Sequence, residues 1–362
     1  MFSKFVGELL RFLEGAKKGI SFSAVVMPDF FLDRFISYEG DVEDFHKVLS
    51  DIASRKGGSI NSIRQMDFRG GNAANTAAAL AVLGVEVYPI IHTSPLGLGL
   101  LEHYLQLYGV NLSYVKAEGE TSITTAIELI HRKEKVNIML RDVGSLAKFS
   151  PSDLTPRDYQ LLEEVDYVCI FNWAGTRHYG TELARTVFSH VKRKGKGKTY
   201  YDTADPTPNR SKISTLMKEV LSTDLVDILS LNENEAIQYA SQLIPQKVGE
   251  LQEGVKLNEL AKECARVLAK NLTARIDLHA TTYAGTFTKN EETIVPALKV
   301  PVKRITGAGD AWNAANLYAD ANEFPDTLRL GFANSVAAYY ISNQHAEHPT
   351  LPQLKNFIRK QR

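Results

Sequence analysis

Cysteine is scarce: two thiols, Cys169 and Cys264, in 362 residues. They sit in apolar or helical stretches without motif spacing, which excludes a disulfide scaffold or a zinc ribbon and fits reduced thiols in a cytoplasmic protein. Net charge is missing as well, with 42 Lys+Arg against 42 Asp+Glu, so a general nucleic-acid binder with a basic domain is not expected. Long hydrophobic runs are absent: the uncharged stretch Gly70–Val85 spans 16 residues and is interrupted by Asn and Thr, too short and polar for a membrane span. The opening MFSKFVGELLRFLEGAKKGI carries Glu8, Arg11 and Glu14 within its apolar pattern, which predicts an amphipathic helix and not a signal peptide. No G-x-G-x-x-G occurs, leaving a dinucleotide enzyme little support. Repeats, low-complexity tracts and linkers are also lacking.

What is present is ordinary globular composition, 44% hydrophobic and 23% charged, and an alternation of elements. Apolar runs at Ser23–Met27, Val85–Ile91, Tyr167–Phe171, Thr199–Asp202, Ile228–Leu231 and near Ile276–Thr282 read as strands. Helical spacing over 41–56, Asn75–Leu83, Leu98–Tyr108, Thr181–Lys194, Ile213–Leu221, Leu257–Asn271 and Pro325–Gln344 separates or follows them. Such alternation implies an α/β fold, a mostly parallel sheet covered by helices on both faces. Ser113–Val115, Thr121–His131 and Lys135–Leu140 form a strand-only stretch, with a second near 57–69. We expect one domain over residues 1–362, with a small β lid built from about 34–69 and 113–142.

Three segments carry chemistry. Ile305–Ala315, ITGAGDAWNAA, places Gly-Ala-Gly before a helix, where free backbone N–H groups and the helix dipole suit an anion. Asp310 there is placed to act as general base toward a hydroxyl; equally, Asp and Gly make an N-cap and a tight turn. Phe68–Gly84, FRGGNAANTAAALAVLG, sets Gly70 and Gly71 ahead of a small-residue helix, letting a ligand approach the backbone, with Asn75 on the first turn. Close helix-to-sheet packing explains the same residues. Leu231–Ala236, LNENEA, offers Asn232 and Glu235 as oxygen donors for a hydrated Mg²⁺, or simply as a helix start. Local decoys carry less. Gly197-Lys198-Thr199 lacks the first glycine of a P-loop, Lys192–Lys198 reads as a cationic helix end closed by glycine, and His345 and His348 lack a third ligand and read as a solvated stretch.

Taken in order, the three segments resemble the PfkB carbohydrate kinase family, the ribokinase-like sugar and nucleoside kinases. Gly70, Gly71, Asn75, Leu83 and Gly84 match its N-terminal signature. Thr306, Gly307, Ala308, Gly309 and Asp310 match its C-terminal one, and Asn232 and Glu235 its Asn-x-x-Glu motif. The resemblance runs from about Ser23 to Leu354. It implies a ribokinase-like fold with a β lid and an ATP- and Mg²⁺-dependent transfer of the γ-phosphoryl group to a hydroxyl of a sugar or sugar-like acceptor. On that reading Asp310 is the base, and Gly307, Ala308 and Gly309 hold the transferred charge. Asn232, Glu235, Thr306, Gly307 and Gly309 serve the nucleotide and its metal. Asp33, with Asp29 second, joins Gly70, Gly71 and Asn75 at the acceptor. Arg141 resembles the arginine that meets a carboxylate in acid-sugar kinases, or is a solvated strand-end charge. Nucleoside and acid-sugar kinases and a non-catalytic sugar-binding regulator stay open, as does a homodimer through the lid. The sequence departs from the family pattern at Arg304, Trp312 and Asn316. It departs again at His92–Pro95, where Gly-Asp-Asp is usual, and at the glycine-poor HATTYAG near 280.

Overall fold

The computed structural model describes residues 2–15, 21–61, 63–252, 255–303, 306–343, 345 and 347–361. Arg304 falls outside them. Within them twelve strands form two sheets. In chain order the strands are β1 (Ser23–Met27), β2 (Phe31–Asp41), β3 (Arg64–Gly70), β4 (Glu86–Pro89), β5 (Ser122–His131), β6 (Glu134–Asp142) and β7 (Tyr167–Phe171), followed by β8 (Lys198–Asp202), β9 (Ile228–Leu231), β10 (Arg275–His279), β11 (Tyr283–Phe287) and β12 (Glu292–Pro296). The large sheet runs β12-β11-β10-β9-β8-β7-β1-β4. Its pairs are parallel from β10 through β4, and the β10–β11–β12 edge is antiparallel.

The central strands are apolar without interruption because both faces are buried. Ala24 and Val26 of β1, with Tyr167, Cys169 and Phe171 of β7, face one core, closed by the Asn72–Val82, Ala308–Ala321 and Asp326–Ile341 helices. Val25, Met27, Val168 and Ile170 face the other, under the Gly180–Lys194, Glu233–Leu243 and Leu257–Asn271 helices. Burial pushes both thiols up, Cys264 to about 11, and both cysteines are unpaired. No helix of the described residues is long and apolar enough to cross a membrane.

The second sheet has the order β3-β2-β5-β6. Here β2 pairs antiparallel with β3 and parallel with β5, and β5 pairs antiparallel with β6. The Val42–Ser54 helix lies between β2 and β3 in sequence. Ser113–Val115 does not form the expected strand. The chain turns there instead, Val115 N–H donating to the Leu112 carbonyl, and its neighbourhood contributes an isolated bridge, His92 to Lys116. Helices Pro156–Glu164 and Leu351–Lys360 were not anticipated, although each opens with Thr, Pro at the first or second position and a capping box.

One departure from the family pattern is explained by packing. Asn316 donates to Asp277 Oδ2 at 2.8 Å and accepts from Arg329, which also reaches Asp277 at 3.0 Å. Burial alone would push the Asp277 carboxyl up. Arg275 and Arg329 beside it hold it well below the usual range instead.

Candidate active site

The carboxyl ends of β1, β7, β8, β9 and β10 open into one cavity of about 400 Å³, where an open parallel sheet places its ligands. The turn into the Asn72–Val82 helix comes first. Gly71 adopts φ 91°, and a Cβ there would sit 2.8 Å from the Phe30 backbone, so glycine is required. Asp29 then caps this helix. Its carboxylate accepts from the N–H of Asn72 (2.9 Å) and Ala73 (2.8 Å) and from Asn172 Nδ2 (2.8 Å). These bonds start the helix at Asn72, three residues before the expected Asn75, and they occupy Asp29.

The Ala308–Ala321 helix supplies the second wall. Gly307 caps it with φ 88°, and the first turn leaves its leading N–H groups without intrahelical acceptors. Thr306, Gly307, Gly309 and Asp310 line the cavity. Asp310 is 5% exposed, and its two oxygens accept from Asn72 Nδ2 (2.8 Å) and Asn75 Nδ2 (2.9 Å). Burial pushes its carboxyl up to about 8. The amides of Asn75 and Asn72 pull it down, while the charges of Asp202 and Asp29 add to the rise. Asn75 cannot turn over, because its Oδ1 accepts from Arg69 Nε at 3.0 Å. Arg69 also reaches His348 Nε2 at 3.2 Å, and the His348 ring stacks on Tyr340. His348 is therefore buried, not solvated as its surroundings in the sequence suggested.

The small sheet supplies the third wall. Asp33, Thr124 and Arg141 are register partners across β2, β5 and β6, so they share one face, and all three line the cavity. Gly70 faces Asp33 so closely that a Cβ would collide with the carboxylate. The Arg141 guanidinium lies 5.8 Å from the centre of the Phe31 ring.

At the far end, Asn232 caps the Glu233–Leu243 helix and Glu235 closes a reciprocal capping box, accepting from Asn232 N at 2.9 Å and Nδ2 at 2.7 Å. Burial, with the Asp202 charge adding to it, pushes the Glu235 carboxyl well above the usual range. Asn232, Glu235, Asp202 and Asp205 put hard oxygen donors at this end. Among the described residues no three His, Cys, Asp or Glu side chains converge tightly enough to bind a metal directly. Oxygen donors of this kind suit a hard cation such as Mg²⁺, which readily keeps several of its waters.

The structure brings together every site residue expected from sequence except Ala308 and Gly70, which are not among the cavity's lining residues although each adjoins one. Sequence reasoning missed Asn72, Asn172, Arg177, Asp202, Asp205 and His279. The signal for most of them was available: polar residues just past the end of a buried parallel strand, as in YYDTAD.

Comparison with known proteins agrees with this architecture. The family model described as pfkB family carbohydrate kinase matches residues 51–354. The solved structure of ribokinase from Thermotoga maritima is 18% identical with a TM-score of 0.67, covering 94% of this chain and 100% of that one. Arabidopsis thaliana ribokinase, solved with ribose and ATP, is 17% identical with a TM-score of 0.65, covering 94% and 99%. Adenosine kinase from Sinorhizobium meliloti is 15% identical with a TM-score of 0.69, also covering 94% and 99%. No curated protein sequence matches the chain. At these identities the structures speak for the fold, and the family model over most of the sequence speaks for kinship: the chain belongs to the pfkB family of carbohydrate kinases.

Proposed function

We propose that this kinase moves the γ-phosphoryl group of ATP to a hydroxyl of a sugar or sugar-like acceptor, with Asp310 as general base. The observation that carries this reading is the Asp310 carboxylate itself. It is buried at the head of a helix whose leading amides suit a phosphate, and two amides fixed by another helix aim its oxygens. Asp310 accepts the hydroxyl proton as the acceptor oxygen attacks, and the amides at Gly307, Ala308 and Gly309 hold the charge on the transferred group. Mg²⁺, when bound, supplies neutralising charge to the triphosphate, and Asn232 and Glu235 would hold it through its waters. Asp33 grips acceptor hydroxyls, with Gly70, Gly71 and Asn75 shaping the same end.

The solved relatives named above include a complex with ribose and ATP and an adenosine kinase, which supports both a sugar and a nucleoside as acceptor class. Arg141, on the same row as Asp33 and without a carboxylate partner among the described residues, favours a second reading, an acid sugar. The small sheet serves as a lid within a single domain, and closing it excludes water and suppresses ATP hydrolysis. Exposed Ile138, Met139 and Leu140 on β6 support pairing of two copies through that lid. The composition and the two free thiols support a cytoplasmic location.

The test is an ATP-consumption screen over neutral sugars, acid sugars and nucleosides, with and without Mg²⁺. Turnover that needs both an acceptor and the metal supports the kinase. Sugar binding without turnover across the panel would favour a regulator.

A further inference from the structure

The two amides that aim Asp310 are not equivalent. Asn72 Nδ2 donates to Asp310 Oδ1 at 2.8 Å, and Asn72 Oδ1 has no hydrogen-bond partner among the described residues, so this amide is free to turn over. Asn75 Nδ2 donates to Asp310 Oδ2 at 2.9 Å, and Asn75 Oδ1 accepts from Arg69 Nε at 3.0 Å. An amide whose oxygen already faces a donor has one orientation only. Burial pushes the Asp310 carboxyl up, and the Asn75 amide opposes that push more strongly than the Asn72 amide does. Arg69 itself stands outside the cavity. On β3, Phe68 is opposite Asp33, which lines the cavity, whereas Arg69 is opposite Leu32 and is not among the lining residues. Its guanidinium is held at a second point. Arginine only donates, so His348 Nε2, 3.2 Å from Arg69 Nη2, accepts. The His348 ring stacks on Tyr340 with centroids 4.8 Å apart, and the Tyr340 hydroxyl packs under the Gly307 turn, where a Cβ would be 2.5 Å from it. One planar fork thus ties the Asn75 amide to the packing beneath the phosphate cradle.

We propose that Arg69 is a positioning residue for phosphoryl transfer: it fixes which way round the Asn75 amide stands and, through that amide, the direction in which Asp310 presents its carboxylate to the acceptor hydroxyl. The inference rests on the kinase reading and deepens it. Without Arg69 the Asn75 amide can turn its oxygen toward the carboxylate, which repels it, and Asp310 is then left on the Asn72 bond alone. The base keeps its chemistry but loses its aim, and a small misplacement of a reacting group is costly in rate.

The experiment is a double-substitution cycle. Arg69→Met keeps the apolar stem and loses the donor. Arg69→Gln keeps an N–H, because its Nε2 falls where Arg69 Nε stands. Each is made in the unaltered protein and in Asn75→Ala. Turnover of ATP with Mg²⁺ and the acceptor found in the screen above gives kcat and KM; calorimetry gives the Kd of ADP, and Tm is measured alongside. Arg69→Met should lower kcat roughly 10- to 100-fold with the Kd of ADP within about twofold, and Arg69→Gln should recover most of the rate. In Asn75→Ala, which has no amide to hold, Arg69→Met should change kcat by less than about twofold. A role in packing alone predicts equal losses in both backgrounds and no rescue by Gln, and either result overturns the proposal. So does unchanged kcat in Arg69→Met, or a loss of ADP affinity as large as the loss of rate. If the Met variant does not fold, Arg69→Glu takes its place: its oxygen stands where the Gln nitrogen does and can only accept, so equal kcat in the Gln and Glu variants overturns the proposal. Absence of turnover by the unaltered protein over the whole panel overturns this proposal together with the kinase reading. Turnover indifferent to every substitution at 69 overturns this one alone.

Discussion

Replacing Asp310 by Asn should produce a protein that is nearly inactive and, at neutral pH, more stable. Burial raises this carboxyl from its ordinary 3.8 to about 8. The folded state therefore favours the protonated form. The stability this contributes is complete below pH 4 and is lost as pH rises through 8. At pH 7 folding must keep this carboxyl mostly protonated, which costs about 4 kcal/mol, from about 1.4 kcal/mol per pH unit over the interval from 3.8. Asn carries no such penalty. It gives up the charge-assisted part of the bonds from Asn72 and Asn75, about 1 kcal/mol each. The geometry survives the exchange. Asn75 is pinned by Arg69 and still donates, and Asn72 turns its amide to accept from the new side chain. The balance is a gain of ~2 kcal/mol at pH 7, or a rise in Tm of ~2–3 °C for a chain of this length. At pH 5 the gain should vanish, because the penalty there is only ~1.6 kcal/mol. Loss of the base should lower kcat by about 10²–10⁴-fold. ADP affinity should hold or rise, since a negative group beside the phosphates is gone. The assay is kcat, ADP Kd and Tm, the last at both pH values. Near-parental kcat refutes the role of base, and a lower Tm at pH 7 refutes the electrostatic argument.

Three further outcomes follow from the same geometry. The kcat/KM of the unaltered enzyme should climb about tenfold per pH unit up to about 8 and level off above it, because the base works only when ionised; a plateau reached below pH 6 would falsify the assignment. Asp33→Ala should weaken acceptor binding roughly 10- to 100-fold with ADP binding unchanged, and Gly70→Ala, whose Cβ pushes on that carboxylate, should act in the same direction; separate titrations of the two ligands check this, and equal losses would make Asp33 structural. Asp29→Ala removes two hydrogen bonds that start the Asn72–Val82 helix and a third from Asn172, so it should cost ~3 kcal/mol and lower Tm by ~4 °C; an unchanged Tm with weakened acceptor binding would move Asp29 into the acceptor site.

Much of this was readable in advance, and the boundary has a physical cause. Strands β1, β7 and β9 match the expected ranges residue for residue, because a strand buried on both faces leaves an unbroken apolar run. The turn at Gly307 that feeds the Ala308–Ala321 helix is a local feature, so it too shows in the sequence. Asn72 was invisible for the opposite reason: its amide meets a carboxylate 238 positions away, and no local pattern reports such a meeting. His279 went unremarked for the same reason, since its packing against Trp312 joins two distant elements. Ser113–Val115 has strand composition, but the chain turns there, Val115 N–H closing on the Leu112 carbonyl, and composition does not report that turn. His348 was misread because burial by Tyr340 and Arg69 depends on partners from other elements.

The cluster around Asp277 also limits how this sequence can drift. Asn316 holds Arg329 and Asp277 at once, so a change at any one of the three leaves a buried charge or amide unmatched. Replacing Asn316 by glycine is therefore not a neutral step here; it becomes tolerable only if Arg329 changes with it. Double substitutions at 316 and 329 should be less harmful than the sum of the two singles, and descendants of this sequence should keep or lose these residues as a set.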